Sequence, residues 1–123
     1  MTINKIELAW IVVADIEKAI EFYTKILGLK LNEFHKEFGW AELSGTEGGA
    51  LLGIAQANDN ECLQPGENAV VTLTVSDIVK AKEELSKKNV TFMGDILEVP
   101  YVVKLQLLTD SDGNKLQLVQ SLK

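Results

Sequence analysis

Residues 11–21 read I-V-V-A-D-I-E-K-A-I-E, and residues 73–83 read L-T-V-S-D-I-V-K-A-K-E. The two stretches are 62 residues apart in a chain of 123, and six of their eleven positions are identical. The shared residues are Val13/Val75, Asp15/Asp77, Ile16/Ile78, Lys18/Lys80, Ala19/Ala81 and Glu21/Glu83. Each copy has the same physical reading: an apolar strand, a turn, and an Asp that caps an amphipathic helix. A period of about 60 residues is too long for a solenoid unit. The pattern is that of a duplicated domain, so what surrounds each copy decides the fold.

Upstream, Ile6 to Val13 is almost wholly apolar and reads as a strand buried on both faces. Asp15 caps a predicted helix over 16–27 with a buried stripe of Ile16, Ala19, Ile20, Tyr23, Ile26 and Leu27. Gly28 stops it. Strands follow over 29–36, 39–43 and 50–55, the last two joined by the turn S-G-T-E-G-G (44–49). Residues 56–68 are polar and rich in turn formers, and read as the linker between halves. The second half repeats the order: a strand over 69–75, a helix over 78–88 with the stripe Ile78, Ala81 and Leu85, and strands over 91–99, 102–108 and 116–120. The strand over 91–99 is interrupted near Gly94-Asp95. Asp112-Gly113 marks the last hairpin. Each half is β-α-β-β-β, module 1 spanning about 3–55 and module 2 about 69–121 of one domain, 1–123.

Composition limits the partners. Net charge is −6, which disfavours nucleic acid and anionic membranes. All twelve basic residues are Lys, so the bidentate Arg clamp for phosphate or carboxylate is missing. No apolar run approaches the roughly 18–20 residues of a membrane span. The start, Met1-Thr2-Ile3-Asn4-Lys5, shows no signal-peptide pattern. The single Cys62 cannot form an internal disulfide, which fits a cytoplasmic protein. His35 is the only histidine, and no H-x-x-x-H, paired-Cys or phosphate-cradling Gly-rich motif is present.

Two segments carry a resemblance to a known family. V-A-D-I-E-K-A-I-E-F-Y-T-K-I-L-G-L (13–29) and D-S-D-G-N-K-L-Q-L-V (110–119) resemble the opening and closing signatures of the vicinal oxygen chelate superfamily, the glyoxalase/bleomycin resistance/dioxygenase fold. Ser111 replaces the usual Pro of the second. The resemblance implies an α+β fold in which two tandem βαβββ modules form a curved mixed sheet, a half-barrel with helices outside, often as a homodimer. It also implies a divalent metal held by four side chains at the positions here occupied by Leu8, Gly53, Val70 and Gln117. Three of these offer no side-chain oxygen or nitrogen, and Gln117 offers one neutral amide. Metal sites of this kind need His, Cys or several oxygen donors. The expectation is therefore no metal and no cofactor.

With Leu8 facing the cavity of that fold, alternation turns Trp10 and Val12 the same way, and Ile11 and Val13 toward the helix. In the second half it turns Val70, Thr72 and Thr74 inward. Leu51, Gly53 and Ala55, and Gln117 with Val119, join them. Trp40 and Glu42 share one face of their strand, and the sequence leaves open which face that is. Tyr101 and Gln106 are placed near the groove by the resemblance. The candidate ligand-binding residues are Trp10, Trp40, Glu42, Thr72, Thr74, Tyr101 and Gln117. They form an apolar, aromatic lining with few polar groups, as small-molecule pockets have. The indoles suit a cationic or aromatic organic ligand.

The leading expectation is a metal-independent small-molecule binder, similar to the drug-sequestering branch of the family, dimeric and with no catalytic residue. A second reading is a glyoxalase- or lyase-type or dioxygenase-like enzyme with a displaced site, with Glu42, Glu7 or Glu98 as general base. A third is a degenerate interaction or dimerisation module.

Overall fold

Each half of the chain builds its own four-stranded mixed sheet with one helix. The computed structural model describes residues 1, 4, 6–59 and 63–123; Cys62 lies outside them. Two units are delimited, Met1–Glu67 and Asn68–Lys123.

In the first unit β1 (Leu8–Val13) leads through Asp15 into α1 (Ile16–Glu21), followed by β2 (Lys30–His35), β3 (Trp40–Gly45) and β4 (Gly48–Gln56). The sheet order is β1-β4-β3-β2, with β1 parallel to β4 and the other pairs antiparallel. One face packs on the helix: Ile11, Val13, Ala41, Leu43, Leu52 and Ile54 are buried, as are Ile16, Ala19 and Tyr23 opposite them. The predicted helix over 16–27 is regular only to Glu21 and then widens into a π-helical turn over Phe22–Ile26. Leu27 N–H bonds back five residues to the Phe22 carbonyl, and the Thr24 hydroxyl donates to Ile20 O at 2.6 Å. Such back-bonding by a mid-helix Thr loosens the regular ladder. The element ends at Gly28 (φ 80°), where Leu29 N–H closes on Tyr23 O. The turn predicted over 44–49 is tighter than expected, with Gly45 already paired to Gly48.

The second unit repeats the plan with β5 (Val71–Thr74), α2 (Ile78–Ser86), β6 (Thr91–Val99), β7 (Val103–Thr109) and β8 (Lys115–Ser121), in the order β5-β8-β7-β6. Its helix-side residues include Leu108, Leu116, Leu118, Ile78 and Leu85, all buried. The interruption expected near Gly94-Asp95 is a bulge, the register shifting between Met93 and Leu97 with Gly94 at φ 74°.

Both helices are started by the same two devices. Asp15 accepts from Lys18 N–H at 3.2 Å, and Asp77 from Lys80 N–H at 3.1 Å. A closing-strand glutamine supplies the other: Gln56 Oε1 accepts from Ile16 N–H at 2.9 Å and Gln120 Oε1 from Ile78 N–H at 2.8 Å. Two of the otherwise orphaned donors of each first turn are thereby satisfied. The glutamines tie each helix start to the strand beside its own entry strand.

Candidate functional site

Directly paired residues of neighbouring strands point to the same side of a sheet. The face of the first sheet away from α1 therefore carries Leu8, Trp10 and Val12 of β1, Leu51, Gly53 and Ala55 of β4, and Trp40 and Glu42 of β3. This settles the side on which Trp40 and Glu42 lie, because Ala41 and Leu43 between and beyond them are buried against the helix. One row crosses the whole sheet in register: Trp10, Gly53, Glu42 and Glu33. Glu33 is absent from the sequence-predicted set. A one-residue irregularity in β2, between Leu31 and Glu33, turns it onto this face opposite Glu42. Simple alternation from Leu31 places it on the helix side, so no local signal reveals it.

The indole of Trp40 leans over Gly53. Its Nε1–H donates to Glu42 Oε2 at 2.9 Å, and its ring meets that of Trp10 edge-on, centroids 6.2 Å apart at 61°. This T-shaped contact suits the ring quadrupoles. Gly53 is buried beneath it, while Trp10 keeps 39% of its surface exposed. The result is an aromatic wall with a carboxylate held in place by one indole, and among the described residues neither Glu42 nor Glu33 has a cationic partner.

The corresponding row of the second sheet is Thr72, Gln117, Leu107 and Met93. Gln117 Nε2 donates to Thr72 Oγ1 at 3.3 Å. Thr74 pairs with Val119 in the next row. Aliphatic side chains cover much of the rest of this face, with Leu97 and Val99 exposed. Tyr101 is not brought into these rows. It sits in the β6–β7 turn at φ 66° and is 89% exposed. Gln106 is a correction: it lies on the helix side, 1% exposed, accepting from Lys82 Nζ at 2.8 Å and donating to Gly94 O at 3.1 Å. Its amide fills the β6 bulge, so it is buried scaffold and lines no groove. Of the alternative bases, Glu98 lies 4.0 Å from Lys104 Nζ, and Glu7 precedes β1. Only Glu42 joins the indoles.

The positions implied for a metal do not fit one. Leu8 and Gly53 bring no donor to the first sheet, and the Trp40 ring occupies the space above Gly53. Val70 has no donor either, and the Gln117 amide is turned to Thr72. No group of three or more His, Cys, Asp or Glu side chains able to hold a metal forms among the described residues. In the second unit a concavity of about 610 Å3 is lined by Val79, Lys82, Glu83, Ser86 and Lys87 of α2 and its end and by Ile96 of β6. Within the second unit, none of these residues belongs to the Thr72, Gln117, Leu107 and Met93 row. Lys82, its most distinctive cation, is already engaged by Gln106 and stands 5.4 Å over the Phe92 ring. The chemistry therefore favours the indole wall as the candidate site. No helix among the described residues is long and apolar enough to cross a membrane.

Comparison with known proteins agrees with this architecture. The model of the Glyoxalase/Bleomycin resistance protein/Dioxygenase superfamily matches residues 2–118. No curated protein matches the sequence. Among solved structures, TnmS3, an antibiotic binding protein from Streptomyces sp. CB03234, is similar at 22% identity with a TM-score of 0.81, over 98% of both chains. A member of the same superfamily from Sphaerobacter thermophilus DSM 20745 is similar at 24% identity and TM-score 0.79, covering 97% of this chain and 98% of that one. TioX from Micromonospora sp. ML1 is similar at 14% identity and TM-score 0.74, over 97% and 100%. At these identities the likeness is one of fold.

Proposed function

The chain belongs to the glyoxalase/bleomycin resistance protein/dioxygenase superfamily, and from that premise we propose that it binds a small organic molecule without a metal and without transforming it. The observation that carries this reading is the Trp10–Trp40 pair closed over Gly53, a position that the resemblance implies for a metal ligand. Indole faces attract flat and cationic groups, and the Glu42 carboxylate beside them adds a fixed negative charge. The ligand class is therefore an aromatic or cationic organic molecule. The antibiotic-binding role of TnmS3 supports a binder on this fold. The protein works as a homodimer in the cytoplasm, where its single Cys62 needs no disulfide partner.

The test is a titration of chelator-stripped protein with N-methylquinolinium, a flat organic cation, and with its neutral isostere 1-methylnaphthalene, followed by indole fluorescence. Saturable quenching that favours the cation is expected. Zinc, nickel and manganese are titrated alongside, and none should bind stoichiometrically or raise the melting temperature. Tight one-per-site metal binding overturns the reading and moves a metal-dependent enzyme to its place. Sedimentation of the same sample tests the dimer.

A further inference from the structure

Gly53 lacks a reason to be glycine in its own backbone. Seven other glycines of the chain adopt positive φ, but Gly53 does not. Any residue satisfies its backbone, so the requirement comes from what lies above it. A Cβ placed there would stand 2.7 Å from Cζ2 of Trp40, closer still to Cη2 of the same ring, and 3.0 Å from Cβ of Trp10. Carbon atoms in good contact are about 3.5–4.0 Å apart. The Trp40 ring has little room to yield. Its nitrogen is tethered to Glu42, its edge meets Trp10, and its neighbours Ala41 and Leu43 are locked in the core.

The second module is an internal control. Gln117 holds the position equivalent to Gly53, and Leu105 the position equivalent to Trp40, since Trp40 pairs with Ala55 and Leu105 with Val119. Where the closing strand carries a side chain, β7 carries no aromatic ring. Where it carries none, β3 supplies an indole.

We propose that Gly53 is a positioning residue that seats Trp40, and that an indole over this site and a side chain at position 53 exclude each other. Building on the ligand reading above, Trp40 is the specificity-determining residue for a flat organic cation, and Gly53 keeps the first module committed to that chemistry. A donor-bearing side chain of the metal-binding kind at position 53 is incompatible with the aromatic wall. The same position thus chooses between two site chemistries.

The test compares Gly53→Ala, Trp40→Leu and the double variant with the unaltered protein by near-ultraviolet circular dichroism, thermal melting and N-methylquinolinium titration. Gly53→Ala is expected to abolish the indole-pair signal, lower the melting temperature and weaken N-methylquinolinium about tenfold. In the Trp40→Leu background the same Gly53→Ala change should leave melting and spectrum almost unmoved. If Gly53→Ala alone does not fold, recovery of folding in the double variant is the same evidence. An unchanged indole signal in Gly53→Ala overturns the proposal. So does an equal loss of stability in both backgrounds, because the clash would then lie with another neighbour. Should the unaltered protein bind no N-methylquinolinium while the background dependence holds, the seat stands and the ligand reading falls. Should the cation bind equally to Gly53→Ala, the seat falls and the ligand reading stands.

Discussion

The two modules share a scaffold and differ on one face. Both begin with an Asp at the helix start, both return a closing-strand glutamine to the first helical N–H, and both pair the entry strand parallel to the closing strand. Their helix-side residues are mostly aliphatic and buried, Gln106 being a polar exception. The opposite faces diverge: Trp10, Gly53, Glu42 and Glu33 in one row, Thr72, Gln117, Leu107 and Met93 in the other. The helix side is held by the core, where a lost methylene is felt throughout the packing. The open side is less buried, so more of its residues can be exchanged while the scaffold stays. A duplicated fold thereby carries an aromatic, acidic surface on one module and an amide-bearing, aliphatic one on the other.

The largest effects should fall where the modules are alike. Ile54→Ala and Leu118→Ala occupy equivalent buried positions, and each should cost about 2–5 kcal/mol in urea unfolding. A large inequality between them would break the equivalence of the two cores. Next comes a transplant of the aromatic seat. Leu105→Trp should destabilise by about 1–3 kcal/mol through overpacking against Gln117, and Gln117→Gly in the same chain should recover part of that loss. No recovery would show that the seat depends on more than the residue beneath it. The helix-start glutamines sharpen the comparison further. Gln56→Ala and Gln120→Ala should each cost about 1–3 kcal/mol by stranding a backbone N–H. Gln56 should be the larger, because its Nε2 also donates to Ala14 O at 2.5 Å. The smallest change is expected for Thr72→Ala, within about 0.5 kcal/mol, since its bond to Gln117 is exposed and long.

The legible part of the site was its period. Alternation through β1 and β5 places Trp10 with Val12, and Thr72 with Thr74, on one side of each strand. It could not choose a face for β3, because W-A-E-L alternates equally well either way until Ala41 and Leu43 are seen against the helix. Gln106 was placed near the groove through resemblance. In the fold its amide instead donates to a bulge carbonyl and accepts from a lysine of α2 on the helix side. Tyr101 was grouped with the site through resemblance, whereas its turn carries it off the strand rows.

The amino-acid sequence by itself determined the duplication, the helix starts at Asp15 and Asp77, the stop at Gly28 and the order of strands. These are local: a cap, a period or a turn residue acts within a few positions of itself. The paired glutamines were not read from the sequence, where Gln56 fell at the start of the expected linker over 56–68. Only the tertiary structure decided that Gln56 reaches Ile16, 40 residues away, that an irregularity turns Glu33 toward Glu42, and that Trp40 lies over Gly53. Those outcomes depend on register between strands, and register is set by which faces a sheet must bury rather than by the residues that end up as neighbours.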